Sequence, residues 1–190
     1  FEEQELLPVF KPKTSIKDLR LMSDKPIANI STTLIPGYLF KCKDKEQEFH
    51  LLVEMIDGYI VTDKENLITK KLPVLEELSK KELNILQNAV ALKNFDSTEI
   101  IQKLGVNLDV EAELSSLVNK GYLERTDDNS FKTSENIVFT RLSQVASFDK
   151  PEFINVKYHK KLDTEKNLDE IKDRLSKFTN VLDQNECFIV

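Results

Sequence analysis

The stretch LGVNLDVEAELSSLVNKGYLE, Leu104 to Glu124, decides how the middle of this chain is read. A helix is expected to start at Asn107 to Asp109, because Val110, Leu114, Leu117 and Val118 then fall on one inward face at helical spacing. Gly121 follows as its C′ residue, where glycine accepts the left-handed backbone that ends a helix. YLER, Tyr122 to Arg125, leaves as a strand, Thr126-Asp127-Asp128-Asn129 turns, and SFKTS, Ser130 to Ser134, returns. Upstream, Asp96 with Glu99 three residues on caps a short helix whose stripe is Ile100, Ile101 and Leu104, ended by Gly105. Further upstream, Ser79-Lys80-Lys81-Glu82 is a capping box: the Ser hydroxyl takes the N–H of Glu82, and the Glu82 carboxylate takes that of Ser79. Leu83, Leu86, Ala89 and Val90 line the helix it opens.

Helix, short helix, a turn at Leu104-Gly105-Val106, a third helix, the phrase LVNKGYLER and a two-stranded hairpin together resemble a winged helix-turn-helix domain, over about residues 79–134. The resemblance implies a third helix that reads DNA in many members of the superfamily and packs on protein in others. At 100° per residue its outward face is Ala112, Ser115, Ser116 and Asn119, with Glu111 and Glu113 on the flanks and Lys120 at one edge. Asn119 alone offers a bidentate contact to a base, which is adenine by its amide geometry. Lys120, Arg125 and Lys132 are the candidates for phosphate, so the nucleic-acid set is Ser115, Ser116, Asn119, Lys120, Arg125 and Lys132. Charge opposes that set. Ser79 to Glu135 holds seven basic and ten acidic residues, a net of −3, with Asp127 and Asp128 at the tip of the wing. The alternative is a protein-facing surface built on Ala112 and Ser116 and flanked by Glu111 and Glu113.

Around this core the chain divides into an N-terminal arm over 1–26, a β-meander over 27–72, the winged-helix region over 73–145 and a strand-helix-strand unit over 146–190. The arm bears Lys and Pro with weak periodicity. A three-stranded antiparallel meander is expected over Tyr38 to Thr62, with KDKEQE (Lys43 to Glu48) as one turn and Asp57-Gly58 as a type I′ turn; the helical period begins near Leu67. ENIVFTRL, Glu135 to Leu142, suits a strand or a short helix. FINVKYHKK, Phe153 to Lys161, reads as a strand, Thr164 to Gln184 as an amphipathic helix, and CFIV, Cys187 to Val190, as a closing strand. The fold class is α+β, the winged helix interrupting a layer made by both chain ends. Leu168, Ile171, Leu175, Phe178 and Leu182 recur at heptad spacing. They form either a dimer seam or a stripe laid on the chain's own sheet.

Composition narrows function. With 190 residues, 40% apolar and 32% charged, the chain can bury one good core or two small ones. A net charge of −6 provides no global field for nucleic acid, so a phosphate-binding surface would have to be local. No apolar run is long enough to span a membrane and Phe1 to Gln4 lacks a signal peptide's start, so a soluble, cytoplasmic protein is expected. The chain starts on Phe1 and stops on CFIV, which suggests a piece of a longer polypeptide. Cys42 and Cys187 have no metal or disulfide spacing, and His50 and His159 have no second ligand near them, so neither metal nor cofactor is expected. Four glycines leave little material for a phosphate-cradling loop, and no nucleotide, zinc-protease or serine-hydrolase motif occurs. The expectation is a non-enzymatic module associated with nucleic-acid transactions, whose partner is DNA or another protein.

Overall fold

Apolar and β-branched residues cluster from Thr33 onward, and there the chain makes its longest strand. The computed structural model describes residues 1–11, 21–23, 30–45, 47–105, 109–145 and 150–190. Strand β2, Thr33–Asp44, pairs antiparallel with β3, Gln47–Glu54, which pairs with β4, Ile60–Asp63, which pairs with β5, Ile68–Lys70. The meander therefore has four strands where three were expected. The chain turns back at Leu67, whose φ of +49° no helix start would need, so strand continues where the helical period was expected.

Asp57-Gly58 turns the chain, but not as a type I′ pair: Gly58 has φ of +79°, while Asp57 is not among the residues with positive φ. The loop is wider and is held by a carboxylate. Glu54 accepts from the N–H groups of Ile56 (2.8 Å), Asp57 (2.9 Å) and Tyr59 (2.9 Å), and its own N–H donates to Tyr59 O. Glu54 is 5% exposed, so these bonds satisfy both the buried carboxylate and the turn's backbone.

The chain ends join this sheet. β11, Asn180–Ile189, runs antiparallel to β2, from Asn180 opposite Lys43 to Ile189 opposite Ile35. β1, Glu3–Phe10, meets β11 in parallel at Val9 and Phe10 and pairs antiparallel with β9, Glu152–Tyr158. β10, Lys160–Lys161, returns to the start of β2. The path is β5-β4-β3-β2-β11-β1-β9, with β10 beside β2. Residues 3–10 are thus a strand rather than part of an arm. Glu3 to Leu6 are exposed on both faces, which erases the alternation that would have announced it. Residues 12–20 and 24–26 of the expected arm lie outside the described residues, as does 27–29 of the expected meander.

Alternate positions feed the two sides of the sheet. Phe10, Leu39, Leu52, Val61, Cys187 and Ile189 cluster on one, and Val9, Leu34, Val156, Tyr158 and Phe188 on the other. Helix α4, Leu168–Ser176, lies beside β11 and buries Ile171 and Leu175.

The C-terminal helix is shorter than expected. It runs Leu168–Ser176, with Asn167 capping it by accepting from Asp169 and Glu170 N–H. Phe178 and Thr179 close on Leu175 O, and Asn180 already belongs to β11. Phe178 therefore lies beyond the helix and Leu182 in a strand, at a bulge between Val181 and Asp183. No continuous helix carries the heptad spacing, so Leu168, Ile171, Leu175, Phe178 and Leu182 do not form a dimer seam: Ile171 and Leu175 are core residues, and the spacing to Phe178 and Leu182 crosses the helix end. Glu135 to Leu142 forms neither a long strand nor a helix, and a 3-10 turn follows at Leu142–Gln144.

The chain divides into two units, Phe1–Lys71 with Thr140–Val190, and Leu72–Phe139. The second contains α1, Lys80–Leu92, β6, Asn94–Asp96, α2, Ser97–Leu104, α3, Glu111–Asn119, β7, Leu123–Arg125, and β8, Ser130–Thr133. Its three strands pair in the order β6-β8-β7, so the expected hairpin gains a third strand from the link between α1 and α2. Ile85, Leu86, Ala89, Phe95, Ile100, Leu114, Leu117 and Phe131 are among its buried core. Together the units make an α+β protein. Among the described residues no helix is long and apolar enough to cross a membrane.

Replacing Glu54 by Ala leaves three turn N–H groups without their acceptor. The variant is expected to lose about 1–3 kcal/mol, read as a lower urea midpoint with faster amide exchange at Ile56, Asp57 and Tyr59. Unchanged exchange at those three amides would show that another group holds the turn.

Candidate functional site

The third helix is set by its two ends. Asp109 Oδ1 accepts from Glu111 N–H (3.0 Å) at its start. At its end, Gly121 N–H donates to Val118 O and Tyr122 N–H to Leu117 O, a Schellman closure with Gly121 at φ +86°. Tyr122 then turns inward, 1% exposed, and its hydroxyl accepts from Val74 N–H at 2.9 Å. The helix starts at Glu111, not between Asn107 and Asp109; residues 106–108, part of the expected turn, lie outside the described residues.

Between α1 and α3 sits a carboxylate. The capping box at Ser79 forms as its spacing predicts: Glu82 N–H donates to Ser79 Oγ (3.1 Å), and Ser79 N–H donates to Glu82 Oε1 (3.2 Å). Glu82 also receives Ser116 Oγ–H (2.9 Å) and Lys120 Nζ (3.0 Å), and Lys120 donates to Glu77 O as well (2.6 Å). Glu82 is 8% exposed. Burial works against its charge, but Lys120, Ser79 and Ser116 together outweigh burial and hold its pKa at about 2.

This cluster corrects the outward face. Ser116 is half-buried and points its hydroxyl at Glu82, and Lys120 is turned inward to the same carboxylate. Neither stands free for a base or a phosphate. The face that remains is Ala112 and Asn119, both exposed, with Ser115 half-buried.

The other cations are also engaged. Arg125 pairs with Glu111 (3.3 Å), donates to Asp128 O (2.8 Å) and lies 4.7 Å over the Phe131 ring. Lys132 pairs with Glu124 (3.3 Å), its cross-strand neighbour in the β7-β8 hairpin. Lys81, at the start of α1, pairs with Glu113 (2.8 Å) and pulls that carboxyl below its usual range. Asp127 and Asp128 stay exposed at the turn, where the N–H of Asn129 and then Ser130 hold Asp127 ionised to lower pH than usual. Leu72–Phe139 carries twelve acidic and seven basic residues, a net of −5.

The sheet unit holds a feature that no local motif announces. A depression of about 500 Å³ is lined by Pro8, Lys41, His50, Lys150, Phe153 and Asn185 among others, drawn from β1, β2, β3, β9 and β11 and the residues just before β9. His50 stands there beside the Lys41–Glu48 pair, while His159 Nδ1 accepts from Thr32 N–H (3.0 Å). Among the described residues no three His, Cys, Asp or Glu gather as a metal site. Cys42 and Cys187 are buried and unpaired, and burial pushes each thiol up to about 12, far from a nucleophile's range.

No family model matches the chain, and neither a curated protein nor a solved structure matches it.

Glu82 links stability to pH. Its pKa is lowered from 4.5 to about 2, so its contribution is present above 4.5 and is lost as the pH falls through about 2. Glu82→Gln should cost about 1–3 kcal/mol at neutral pH, read from amide exchange along α1 and α3. The gap between wild type and variant should close as the pH approaches 2; a gap of equal size at both pH values would remove the ionised carboxylate from the account.

Proposed function

We propose that Leu72–Phe139 is a winged helix-turn-helix module that binds protein rather than DNA, without catalysis of its own. The order α1-β6-α2-α3-β7-β8, with a Schellman closure leading into the β7-β8 wing, supports the first half of that reading. One observation carries the second half. Lys81, Lys120, Arg125 and Lys132, which flank the third helix and its wing, are each matched by an acid of the same unit: Glu113, Glu82, Glu111 and Glu124.

Phosphate binding draws its affinity from cations that neutralise the backbone and release its counterions. Here four such cations would first have to leave a carboxylate, inside a unit of net charge −5. What the third helix presents instead is the small side chain of Ala112 and the amide of Asn119, bordered by exposed Asp109. A small, acid-bordered face permits close approach of another polypeptide and favours a partner with basic residues at the rim.

The test is anisotropy with labelled duplex DNA at low and at physiological salt. The wild-type chain is expected not to bind even at low salt. A variant carrying Glu111→Gln, Glu113→Gln and Glu124→Gln, which releases Arg125, Lys81 and Lys132, is expected to acquire weak, salt-sensitive binding. Wild-type binding whose log affinity falls steeply with log salt would overturn the reading in favour of a DNA-binding module. A photo-crosslinking residue at Ala112 is expected to yield adducts that protease removes and nuclease does not.

A further inference from the structure

A sheet that does not close leaves strand edges with unpaired N–H and C=O groups, and proteins blunt such edges by shortness, bulges or charge. Among the described residues the two end strands, β5 and β9, and the β1-facing side of β11 carry open edges, and two of these three are blunted. β5, at one end, is three residues long, and its pairing with β4 slips between Val61 and Asp63. β11 meets β1 only at Phe188 and Ile189, so Asn180–Glu186 has β2 alone as a partner. That edge carries the bulge at Leu182 and the exposed acids Asp183 and Glu186.

β9, at the other end, is different. Glu152–Tyr158, EFINVKY, pairs with β1 without a register shift, holds no Pro or Gly, and is dominated by β-branched and aromatic residues. Phe153 on this strand is 72% exposed, and Leu6 on β1 is 64% exposed. They lie on one face, since Phe153 is opposite Pro8 and Asn155 is opposite Leu6.

We propose that β9 is a self-pairing edge, through which two copies of this chain join their sheets antiparallel about a two-fold axis at Asn155. A two-fold axis normal to the sheet keeps each face on its own side, so only residues of equal parity can stand opposite one another. With Asn155 opposite its own copy, Ile154 meets Val156, an apolar β-branched pair on the face that already buries Val156 and Tyr158. On the other face Phe153 meets Lys157, the strand's one cation, in the geometry that lets a lysine stem and ammonium lie over an aromatic ring. Glu152 meets Tyr158. No like charges oppose one another in this register. Self-complementarity of that kind selects a second copy as the occupant, and the bulge and acids on β11 direct such pairing away from that edge. The proposal concerns the sheet unit and stands apart from the role of Leu72–Phe139.

The experiment is sedimentation of the intact chain over a range of concentrations up to millimolar, with two substitutions at the axis. Wild type is expected to show a reversible dimer. Asn155→Lys, at an exposed position, places two ammonium groups together and should move the midpoint to at least about tenfold higher concentration. Asn155→Cys should form an interchain disulfide on mild oxidation, because opposed residues of antiparallel strands stand at disulfide distance. Asn185→Cys, exposed on β11, should not, and buried Cys42 and Cys187 add no background. A monomer at every concentration overturns the proposal. So does a dimer that Asn155→Lys leaves intact, or equal cross-linking at positions 155 and 185.

Discussion

The pairing of β11 with β2 is the constraint on which the sheet unit depends. It sets Asn180 against Lys43 and Ile189 against Ile35, so residues more than a hundred positions apart share one ladder. Without it, the meander Thr33–Lys70 would present an open edge at β2, and β1 and β9 would have no place in the sheet. Leu72–Phe139 is consequently an excursion from a unit whose halves lie on either side of it in sequence. The excursion itself is built from near neighbours: α1 packs on α2 and α3, and β8 lies between β6 and β7. Closing a long loop carries an entropic cost that grows only slowly with its length, which is why such an excursion is tolerated thermodynamically.

Features written in a few adjacent residues were legible in the sequence. The Ser79/Glu82 capping box, the Asp96 cap and the Gly121 helix end each rest on a hydrogen bond between residues at most six positions apart, so a short phrase contains the whole interaction. Features that depend on a distant partner were not. β1 exposes Glu3 to Leu6 on both faces and shows no alternation; it is a strand because β9 supplies its ladder. Spacing alone carries the C-terminal helix too far, because Phe178 and Leu182 continue the interval of Leu168, Ile171 and Leu175, although Asn180 onward belongs to β2's ladder. The depression lined by Pro8, His50 and Phe153 draws on strands far apart in sequence, and no local signal could have assembled it.

The candidate site shows the same division. That the third helix carries small residues outward and acids on its flanks was visible from spacing alone. Which acids face outward was not, because partner choice is tertiary. Ser116 and Lys120 stood on the helix's outer edge by angle, yet both are drawn to Glu82 on α1.

Formal charge therefore overstates the acid that these units show to a partner. Glu54 and Glu82 are buried carboxylates with opposite solutions to the same problem. Glu54 is satisfied by backbone N–H groups of its turn, and Glu82 by a lysine, a serine hydroxyl and a helix-capping N–H. Glu111, Glu113 and Glu124 are paired with Arg125, Lys81 and Lys132. What remains near the third helix is Asp109 at its start and Asp127 and Asp128 at the β7-β8 turn, both exposed regions. Any partner of this face meets the small side chain of Ala112 and the amide of Asn119, with exposed acids at the borders. On the proposed reading, such an arrangement favours a matching ring of basic side chains over a continuous phosphate backbone, which Asp127 and Asp128 would repel.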